Sequence, residues 1–479
     1  MKMADHDMQP YAGNPHVRFD DGNVAPCTAE ASLRRVHCRR QPEGRASVCA
    51  ATPRRGSLLY KKLIMIGAAA VAVGANADSS GDVKMPILGW HALPQDMSNA
   101  RRYAEAKDAG FTHLTQWCKT PADAKRFLSE AEKAGIKLVI GFAAHSWENG
   151  LKRMTDEAEA FTAAVKDSPA LGLYYITDEP HVREAEAIGE CVKRYGALDP
   201  AHICYVNLFG GRRNTGCATY RDYLDRLYGV APLKMLSFDV YPIRSFKSMA
   251  NGDLRLHGAR VFLKDGWYAT LETASAFARE KRIPMYAFAL ATPHRHNPAH
   301  PYPHPTMGHL RLQMYSNLAY GAQMLQYFRY HMNCKDLAPI ASGGKRSPVF
   351  ELVREMNQEI QSRAYVFVGA EVQRVWHTGA EIPSGTKQLD KKALPPFVKS
   401  LSTGEDDTAV VSWLKNGEKE YLVVVNRDPN DDISFSAIFA PETEVVRRDG
   451  TRAKANAYMD RFWLEPGDAA IFTANKEQK

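Results

Sequence analysis

Residues 171–180 of the chain read LGLYYITDEP, an apolar run that ends in two carboxylates and a proline. Leu171–Thr177 carries no charge and shows no regular alternation of apolar and polar side chains, which predicts a parallel strand buried on both faces. Asp178 and Glu179 cannot belong to that buried layer, because an unpaired charge inside a protein is costly. We therefore expect both side chains at the carboxyl end of a strand, where a site can form.

The same kind of short apolar run occurs eight times, and longer amphipathic segments follow each run. The predicted strands are Pro86–Leu93, Phe111–Trp117, Lys137–Phe142, Leu171–Thr177, Ile203–Phe209, Met235–Tyr241, Met285–Ala291 and Met324–Tyr330. Eight strands that alternate with helices over roughly 280 residues predict a closed (β/α)₈ TIM barrel, an α/β fold. An open doubly wound sheet would show a Gly-rich phosphate turn after its first strand, and residues 89–94 (GWHALP) contain none.

After about residue 368 the pattern changes to short runs rich in β-branched and aromatic residues, separated by turn signals such as Asn416-Gly417. These runs predict a small antiparallel β-sandwich domain. The expected organisation is a barrel over residues 84–368 and a sandwich over residues 369–479.

The N-terminal segment shows the three parts of a secretory signal peptide. Lys61-Lys62 precedes the apolar run Leu63–Gly74, and Ala75-Asn76-Ala77 supplies a cleavage site. Residues 61–77 therefore predict a secreted or periplasmic protein. The run is too short to remain as a transmembrane helix, so no stable membrane anchor is expected after cleavage. Residues 1–60 lie upstream of this signal and are interpreted as a disordered or wrongly assigned extension.

Charge and cysteine content narrow the function classes. Of the net charge of +8, residues 1–77 carry +5 and the remaining 402 residues carry only +3, which argues against nucleic acid as a partner. Five scattered cysteines follow the predicted cleavage site, and they fit neither a disulfide framework nor a zinc site. A single bridge, for instance between Cys204 and Cys217, stays open.

Carboxylates, aromatic rings and hydrogen-bonding groups gather at the predicted strand ends, where barrels place their chemistry. Such a set suits pyranose rings, which have an apolar face and a rim of hydroxyl groups. The sequence thus predicts an oligosaccharide or polysaccharide as the partner. The candidates for substrate binding are Trp90, His91, Trp117, His145, Trp147, Asp178, Asn207, Tyr241, His294, Tyr327 and Arg329.

Two carboxylates are the candidates for catalysis. Glu179 is interpreted as a general acid with a raised pKa, and the alternative is that Asp178 or Glu179 caps the helix that starts near His181. Asp239 ends the sixth strand and is the second candidate carboxylate; the alternative is a carboxylate that only accepts hydrogen bonds from Tyr or His neighbours. For each of the three tryptophans, packing in the core is the alternative to stacking on a sugar ring.

The Asp-Glu-Pro end of the fourth strand, the run Ser237–Pro242 (SFDVYP) on the sixth and the all-β tail resemble the large clan of retaining (β/α)₈ glycoside hydrolases, with β-galactosidase-like and cellulase-like members. Members of that clan carry Asn-Glu-Pro or a variant at the end of the fourth strand, and the Glu is the acid/base. The resemblance implies that role for Glu179, with Asp178 in place of Asn. The sequence contains no Gly-rich phosphate loop and no other cofactor signature, so no cofactor is expected.

The sequence departs from this clan at the seventh strand, where the clan carries its nucleophilic Glu. Met285–Ala291 is followed by Thr292-Pro293-His294, without a carboxylate. This difference motivates a second hypothesis, a barrel that binds carbohydrate without hydrolysing it. A third is a metal-dependent hydrolase or lyase that uses the His-rich loop 294–304; its prolines and lack of carboxylates argue against a metal site, and none is predicted.

Overall fold

The structure is a computed structural model; it describes residues 83–475 apart from 92, 144–146, 247–259, 294–299, 334–336 and 456–460. The predicted extension and signal peptide lie outside these residues, as do His145 and His294. In chain order the elements are β1 (Ile87–Gly89), α1 (Ala100–Asp108), β2 (His113–Cys118), α2 (Pro121–Ala134), β3 (Lys137–Phe142), α3 (Trp147–Asp156), α4 (Ala158–Val165), β4 (Leu171–Asp178), α5 (Ala185–Leu198), β5 (Cys204–Phe209), α6 (Tyr220–Val230), β6 (Leu236–Asp239), β7 (Ile243–Ser245), β8 (Val261–Leu263), α7 (Trp267–Lys281), β9 (Met285–Leu290), α8 (Met307–Ala319), β10 (Ala322–Phe328), α9 (Pro348–Ser362), α10 (Ala364–Phe367), β11 (Glu371–His377), β12 (Val398–Thr403), β13 (Ala409–Asn416), β14 (Lys419–Asn426), β15 (Ile433–Phe439), β16 (Glu444–Val446), β17 (Arg452–Lys454), β18 (Arg461–Leu464) and β19 (Ala469–Asn475).

Eight parallel strands close into a barrel in the order β1-β2-β3-β4-β5-β6-β9-β10, and β10 pairs with β1. The strands β7 and β8 form a separate antiparallel ribbon, so β9 is the seventh barrel strand and β10 the eighth. The predicted TIM barrel is confirmed. The first strand is shorter than predicted, because the backbone of His91 takes a positive φ of 48° and ends the extended run.

Local sequence explains where the helices begin and end. Thr120 caps α2, Asp123 completes a capping box with it, and Gly135 ends the helix in the left-handed conformation. Helix α3 was not predicted, because Asn149-Gly150 within it resembles a turn signal. No helix in the described ranges is long and apolar enough to span a membrane.

The C-terminal strands form two antiparallel sheets. Six strands pair in the order β11-β13-β14-β19-β16-β17, and three pair as β12-β15-β18. A second hydrophobic core lies between them, with Val411, Leu422 and Phe472 from the larger sheet facing Leu401 and Phe435 from the smaller. The predicted antiparallel β-sandwich is therefore confirmed, with two sheets packed face to face.

Helix α8 joins the barrel to the larger sheet. All its residues from His309 to Ala319 are buried, which explains why its sequence shows no polar face. The helix packs against β9 and β10 on one side and β13 and β14 on the other. The hydroxyl of Ser412 on β13 donates to the carbonyl of Ala319 at 2.7 Å. The sandwich is thus attached to the barrel through a shared core.

A buried ion-pair network ties the same region together. Glu359 on α9 accepts two hydrogen bonds from the guanidinium of Arg311 and one from the hydroxyl of Tyr315, at 2.6–3.1 Å. Arg363 contacts the other oxygen of Glu359 at 3.6 Å, and Arg311 also reaches Glu465 beyond β18 at 3.2 Å. These charged groups can be buried because each of them has a partner of opposite charge.

The four cysteines in the described ranges, Cys118, Cys191, Cys204 and Cys217, are free thiols. The bridge between Cys204 and Cys217 that the sequence left open is therefore not formed. Cys204 is buried at the start of β5, whereas Cys217 lies in the loop before α6.

We predict that Glu359→Gln lowers the free energy of unfolding by about 3 kcal/mol, because it leaves two buried guanidinium groups without their shared carboxylate. Urea unfolding followed by circular dichroism measures the change. Glu355→Gln on the exposed side of α9 is the control, with an expected change within about 0.5 kcal/mol. Equal effects of the two substitutions would show that the network does not stabilise this junction.

Candidate active site

Strand register brings the predicted carboxylates together at the carboxyl end of the barrel. Asp178 on β4 pairs in register with Asn207 on β5, and Asn207 pairs with Ser237 on β6, two residues before Asp239. A register shift between Tyr175 and Thr177 changes which face the following residues present. Because of this shift, Asp178 shares the inward face with Tyr175, although it lies three positions further along the chain.

The side-chain amide of Asn207 links two of the carboxyl groups. Its Nδ2 donates to Asp178 Oδ1 at 2.9 Å and to Asp239 Oδ1 at 3.0 Å. Ser237 Oγ donates to Asn207 Oδ1 at 2.9 Å, which fixes the orientation of the amide. Two carboxyl oxygens from different strands therefore lie next to a single nitrogen.

A second layer of buried groups supports this amide from inside the barrel. Gln326 Nε2 on β10 donates to Ser237 Oγ at 2.9 Å, and the hydroxyl of Tyr205 donates to Gln326 Oε1 at 2.6 Å. The Tyr205 hydroxyl also contacts Ser237 Oγ at 3.1 Å. The network spans strands β5, β6 and β10, so barrel closure itself holds Asn207 in place.

Glu179 follows β4 in a strained backbone conformation. Its φ is 45°, which is uncommon for a residue with a long side chain, and its N–H donates to the carbonyl of Asn207 at 2.8 Å. The capping alternative is wrong, because His181 caps the short 3₁₀ turn Val182–Glu184 that precedes α5. The Glu179 carboxyl is directed instead to Asp239, with which it shares a hydrogen bond.

The three carboxyl groups differ in proton affinity. Burial, followed by the charges of Asp239 and Asp178, raises the pKa of Glu179 well above its usual range. Burial and the neighbouring Asp239 raise the pKa of Asp178 to about 8, against the hydrogen bond from Asn207. Burial raises the pKa of Asp239 to about 6, while hydrogen bonds from Asn207, Tyr241 and Glu179 hold it down. Near neutral pH the cluster therefore holds its negative charge mainly on Asp239 and its protons on Glu179 and Asp178.

The carboxyl groups of Glu179 and Asp239 lie within hydrogen-bonding reach of each other. This contact raises the pKa of Glu179 and lowers that of Asp239. As the charged partner, Asp239 holds the Glu179 proton in place.

A pocket of about 610 Å³ opens beside this pair. Glu179, Asp239 and Tyr241 line it together with the loop after β5 and the residues before α7. Gly210 in that loop is required by space, since a Cβ there would lie 2.2 Å from the carbonyl oxygen of Asp239. A pocket of this size accepts a small sugar unit.

The aromatic candidates of the first two strands have different environments. Trp90 is 2% exposed and packs among Trp117, Tyr175, Tyr205 and Phe288, with ring centroids 5.6–5.9 Å apart. It fills the barrel interior and offers no open ring face, so its predicted role as a sugar platform is wrong.

His91 and Trp117 remain candidates for substrate contact. Both are half-buried, and their ring centroids lie 4.9 Å apart at the ends of neighbouring strands. Burial, with the positive charges of Arg329 and His331, lowers the pKa of His91 well below its usual value, so this imidazole is neutral. Trp147 is the first residue of α3, and its side chain lies outside the described residues.

The two candidates of the eighth strand lie in different layers. Tyr327 is fully buried and packs against Phe111 at 5.6 Å in the core between strands and helices, so the prediction that it lines the cleft is wrong. Side chains alternate along β10, and the inward positions belong to Gln326 and Phe328. Arg329 is half-buried, 4.6 Å from the Phe328 ring, near His91.

The structure confirms that the seventh barrel strand ends without a carboxylate, as the sequence indicated. β9 ends at Leu290, and Ala291, Thr292 and Pro293 follow without a carboxylate. Over the described ranges, no three His, Cys, Asp or Glu side chains form a group suited to a metal ion. His294 and His296 lie outside those ranges.

Sequence reasoning missed the supporting residues Tyr205, Ser237 and Gln326. The first two carry a usable signal, because each lies two residues before a predicted site residue on the same strand and so shares its face. Gln326 gives no such signal, since its role depends on the closure of β10 against the rest of the barrel.

We predict that Asn207→Ala shifts the titration of Asp239 to a pH above 6, because the lost amide hydrogen bond favours the ionised carboxyl. Carbon-13 NMR of aspartate-labelled protein measures the midpoint. Ser237→Ala keeps the amide but removes the group that orients it, so its shift should have the same sign and a smaller size. An unchanged midpoint in Asn207→Ala would contradict this account of the cluster.

Comparison with known proteins supports the fold. The sequence matches no protein-family model and no curated protein. The structure is similar to a glycoside hydrolase family 5 protein from Bacteroides vulgatus ATCC 8482, with a TM-score of 0.52 and 13% identity over 82% of this chain and 90% of that chain. It is also similar to a catalytic mutant of a family 42 β-galactosidase from G. stearothermophilus, with a TM-score of 0.53 and 8% identity over 82% of this chain and 98% of that chain. At the level of the fold, the chain has the barrel of these glycoside hydrolases.

Proposed function

We propose that the chain hydrolyses a glycosidic bond in a glycan, with Glu179 as general acid and Asp239 as the second carboxylate. The observation that carries this proposal is the hydrogen-bonded pair Glu179–Asp239, with the proton on Glu179, at the edge of a pocket of about 610 Å³. The shared fold with glycoside hydrolases supports it. The predicted signal peptide supports a glycan outside the cytoplasm as the substrate, and N-terminal sequencing of the native protein tests that part.

The chemistry follows from the proton distribution. Glu179 transfers its proton to the glycosidic oxygen as the bond from that oxygen to the anomeric carbon breaks. Asp239 then either bonds to the anomeric carbon itself or accepts a proton from the water that attacks it. Asn207 and Tyr241 donate to Asp239 and keep it ionised before the reaction. Asp178 accepts a hydrogen bond from the same amide nitrogen of Asn207 and so helps to hold that side chain in place.

We predict that Glu179→Gln and Asp239→Asn each lower kcat/KM by about 10²- to 10⁴-fold on a responsive glycan, because each removes a proton-transfer group while keeping its shape. A panel of aryl glycosides and oligosaccharides serves as substrate. Glu190→Gln, an exposed residue on α5, is the matched control and should match the wild type.

The first-formed anomer, followed by NMR, reports whether Asp239 bonds to the sugar or activates water. Wild-type activity in Asp239→Asn would remove Asp239 from the mechanism. Wild-type activity in Glu179→Gln would remove the proposal as a whole.

We predict a bell-shaped dependence of kcat/KM on pH. The rate should rise as pH increases through about 6, because Asp239 must be ionised, and fall in the alkaline range as Glu179 loses its proton. The fall should begin well above the ordinary pKa of a glutamate. Initial rates measured from about pH 4 to about pH 10 cover both limbs of the profile. Circular dichroism over the same range checks that the fold stays intact. A profile without the acidic limb would contradict the assignment of Asp239.

One observation favours a second candidate, a barrel that binds carbohydrate without cleaving it. The seventh strand lacks a terminal carboxylate, and the two candidate carboxyls contact each other rather than facing across a cleft. This candidate predicts measurable glycan binding by the wild type with no turnover on the same panel. Hydrolysis of any member would exclude it.

A further inference from the structure

The smaller C-terminal sheet carries an exposed tryptophan on its outer face. Trp463 on β18 is 67% exposed, and Ile438 on β15 is 54% exposed. Their neighbours Phe462 and Phe435 point the other way, into the core between the two sheets, where their rings stack at 5.0 Å. A single exposed ring is common on protein surfaces, so its surroundings decide whether it belongs to a binding site.

An anchored guanidinium holds this tryptophan. Arg461 lies two positions before Trp463 on the same face of β18, 4.9 Å from the centroid of its ring. The Nε and Nη2 atoms of Arg461 donate to Ser434 Oγ at 3.0 and 2.9 Å. Ser434 is buried, and its hydroxyl and backbone N–H both donate to Asp407, at 3.3 and 3.1 Å. The ring is therefore held in place before a ligand arrives, which lowers the entropic cost of binding.

Exposed hydroxyl groups continue this surface across the sheet. Strand pairing places Ser436 opposite Arg461, Ser402 opposite Ser436, and Ser400 opposite Ile438. All three serines are exposed, and the strands β12, β15 and β18 contain no Asp or Glu. We call this outer face the platform; it consists of Ser400, Ser402, Ser436, Ile438, Arg461 and Trp463.

The chemistry of the platform matches a sugar chain. A pyranose ring has an apolar face that stacks on an aromatic ring and a rim of hydroxyl groups that bond to polar side chains. Trp463 supplies the apolar surface, Arg461 supplies donors, and the serine hydroxyls both donate and accept. The centre of a protein–protein interface is more apolar, whereas hydroxyl groups here separate Trp463 from Ile438.

The platform belongs to a part of the sandwich that contacts the barrel near the catalytic pocket. Asn430, in the loop before β15, exchanges two hydrogen bonds of 2.9 Å with the backbone of Val261 on β8. Val261 lies three positions before Lys264, which lines the pocket. Asn430 lies four positions before Ser434, the strand partner of Trp463. Extended backbone spans each of these gaps in at most about 14 Å, so one long glycan can reach both places.

We propose that the platform is a second carbohydrate-binding surface, which holds a neutral polysaccharide chain outside the catalytic pocket. Trp463 stacks on one sugar ring, Arg461 donates to its hydroxyl groups, and the serines contact the neighbouring units. Binding there keeps the polymer on the protein and raises its local concentration at the pocket. The inference rests on the proposed function for the identity of the ligand as a glycan, but it concerns binding at a surface where no bond is cleaved.

Binding of the full chain to soluble polysaccharides tests this inference. Affinity electrophoresis in gels that contain a mixed-linkage β-glucan, a xylan or a galactan gives a dissociation constant for each polymer. The Glu179→Gln variant is used as the background, so that the polymer stays intact. We expect at least one polymer to bind, and Trp463→Ala should weaken that binding about tenfold, because it removes the aromatic anchor. Binding to none of the polymers overturns the inference.

Further variants locate the binding on the platform. Arg461→Gln should also weaken it, whereas Trp463→Phe keeps a ring and should retain most of the affinity. Phe246→Ala is the matched control, because Phe246 is 61% exposed and lies outside this sheet. An equal loss in Phe246→Ala assigns the binding to exposed apolar surface in general and overturns the platform. Because Trp463 is exposed, Trp463→Ala should change Tm by no more than about 2 °C.

A kinetic measurement separates the platform from the catalytic pocket. With Glu179 intact, Trp463→Ala should raise KM for the polymer severalfold and leave kcat/KM for a short aryl glycoside unchanged. Equal losses on both substrates would overturn a role confined to binding. Sedimentation velocity covers the other possible occupant, since a dimer that Trp463→Ala dissociates would assign the platform to a second copy of the chain and overturn the inference.

The outcomes distinguish this inference from the proposed function. Polymer binding that depends on Trp463, without turnover of any glycan, supports the platform and overturns hydrolysis. Hydrolysis of glycans together with polymer binding that is unchanged in Trp463→Ala supports hydrolysis and overturns the platform.

Discussion

The amide nitrogen of Asn207 donates to carboxyl oxygens on both neighbouring strands, and the chemistry of the barrel mouth depends on this arrangement. The parallel pairing of β4, β5 and β6 fixes this arrangement, because it places Asp178, Asn207 and Ser237 side by side on the three strands. Ser237 in turn fixes which end of the amide faces the carboxyls. Three acidic groups can share this small volume only because their protons are unevenly distributed.

Packing beneath the cluster creates the conditions for that distribution. The barrel interior is filled by aromatic and aliphatic side chains, among them Trp90, Tyr175, Tyr205 and Phe288, which exclude water from the lower side of the carboxyls. Burial is accordingly the largest cause of the raised pKa at Asp178, Glu179 and Asp239. The C-terminal sheets contribute indirectly, because α8 lies between them and the last two barrel strands and is enclosed by both. The site thus depends on a core that extends through two layers of the protein.

The pocket beside the carboxyl pair is lined by both acidic and basic side chains. Glu179 and Asp239 line it together with Arg212, Arg213 and Lys264. The backbone at Glu179 is strained, and strain of this kind persists where the surrounding structure holds a functional group in a defined position.

Local sequence determined the element types, their order and the location of the acidic groups. Uninterrupted apolar runs read as buried parallel strands, and charged groups such as Glu179 and Asp239 had to lie at strand ends because the interior cannot accommodate them unpaired. Tertiary structure alone decided which side chains meet. The register shift in β4 turns Asp178 inward, alternation along β10 turns Tyr327 away from the cleft, and the barrel brings Gln326 on β10 into contact with Ser237 on β6. These outcomes depend on contacts between residues far apart in the chain, which no local pattern contains.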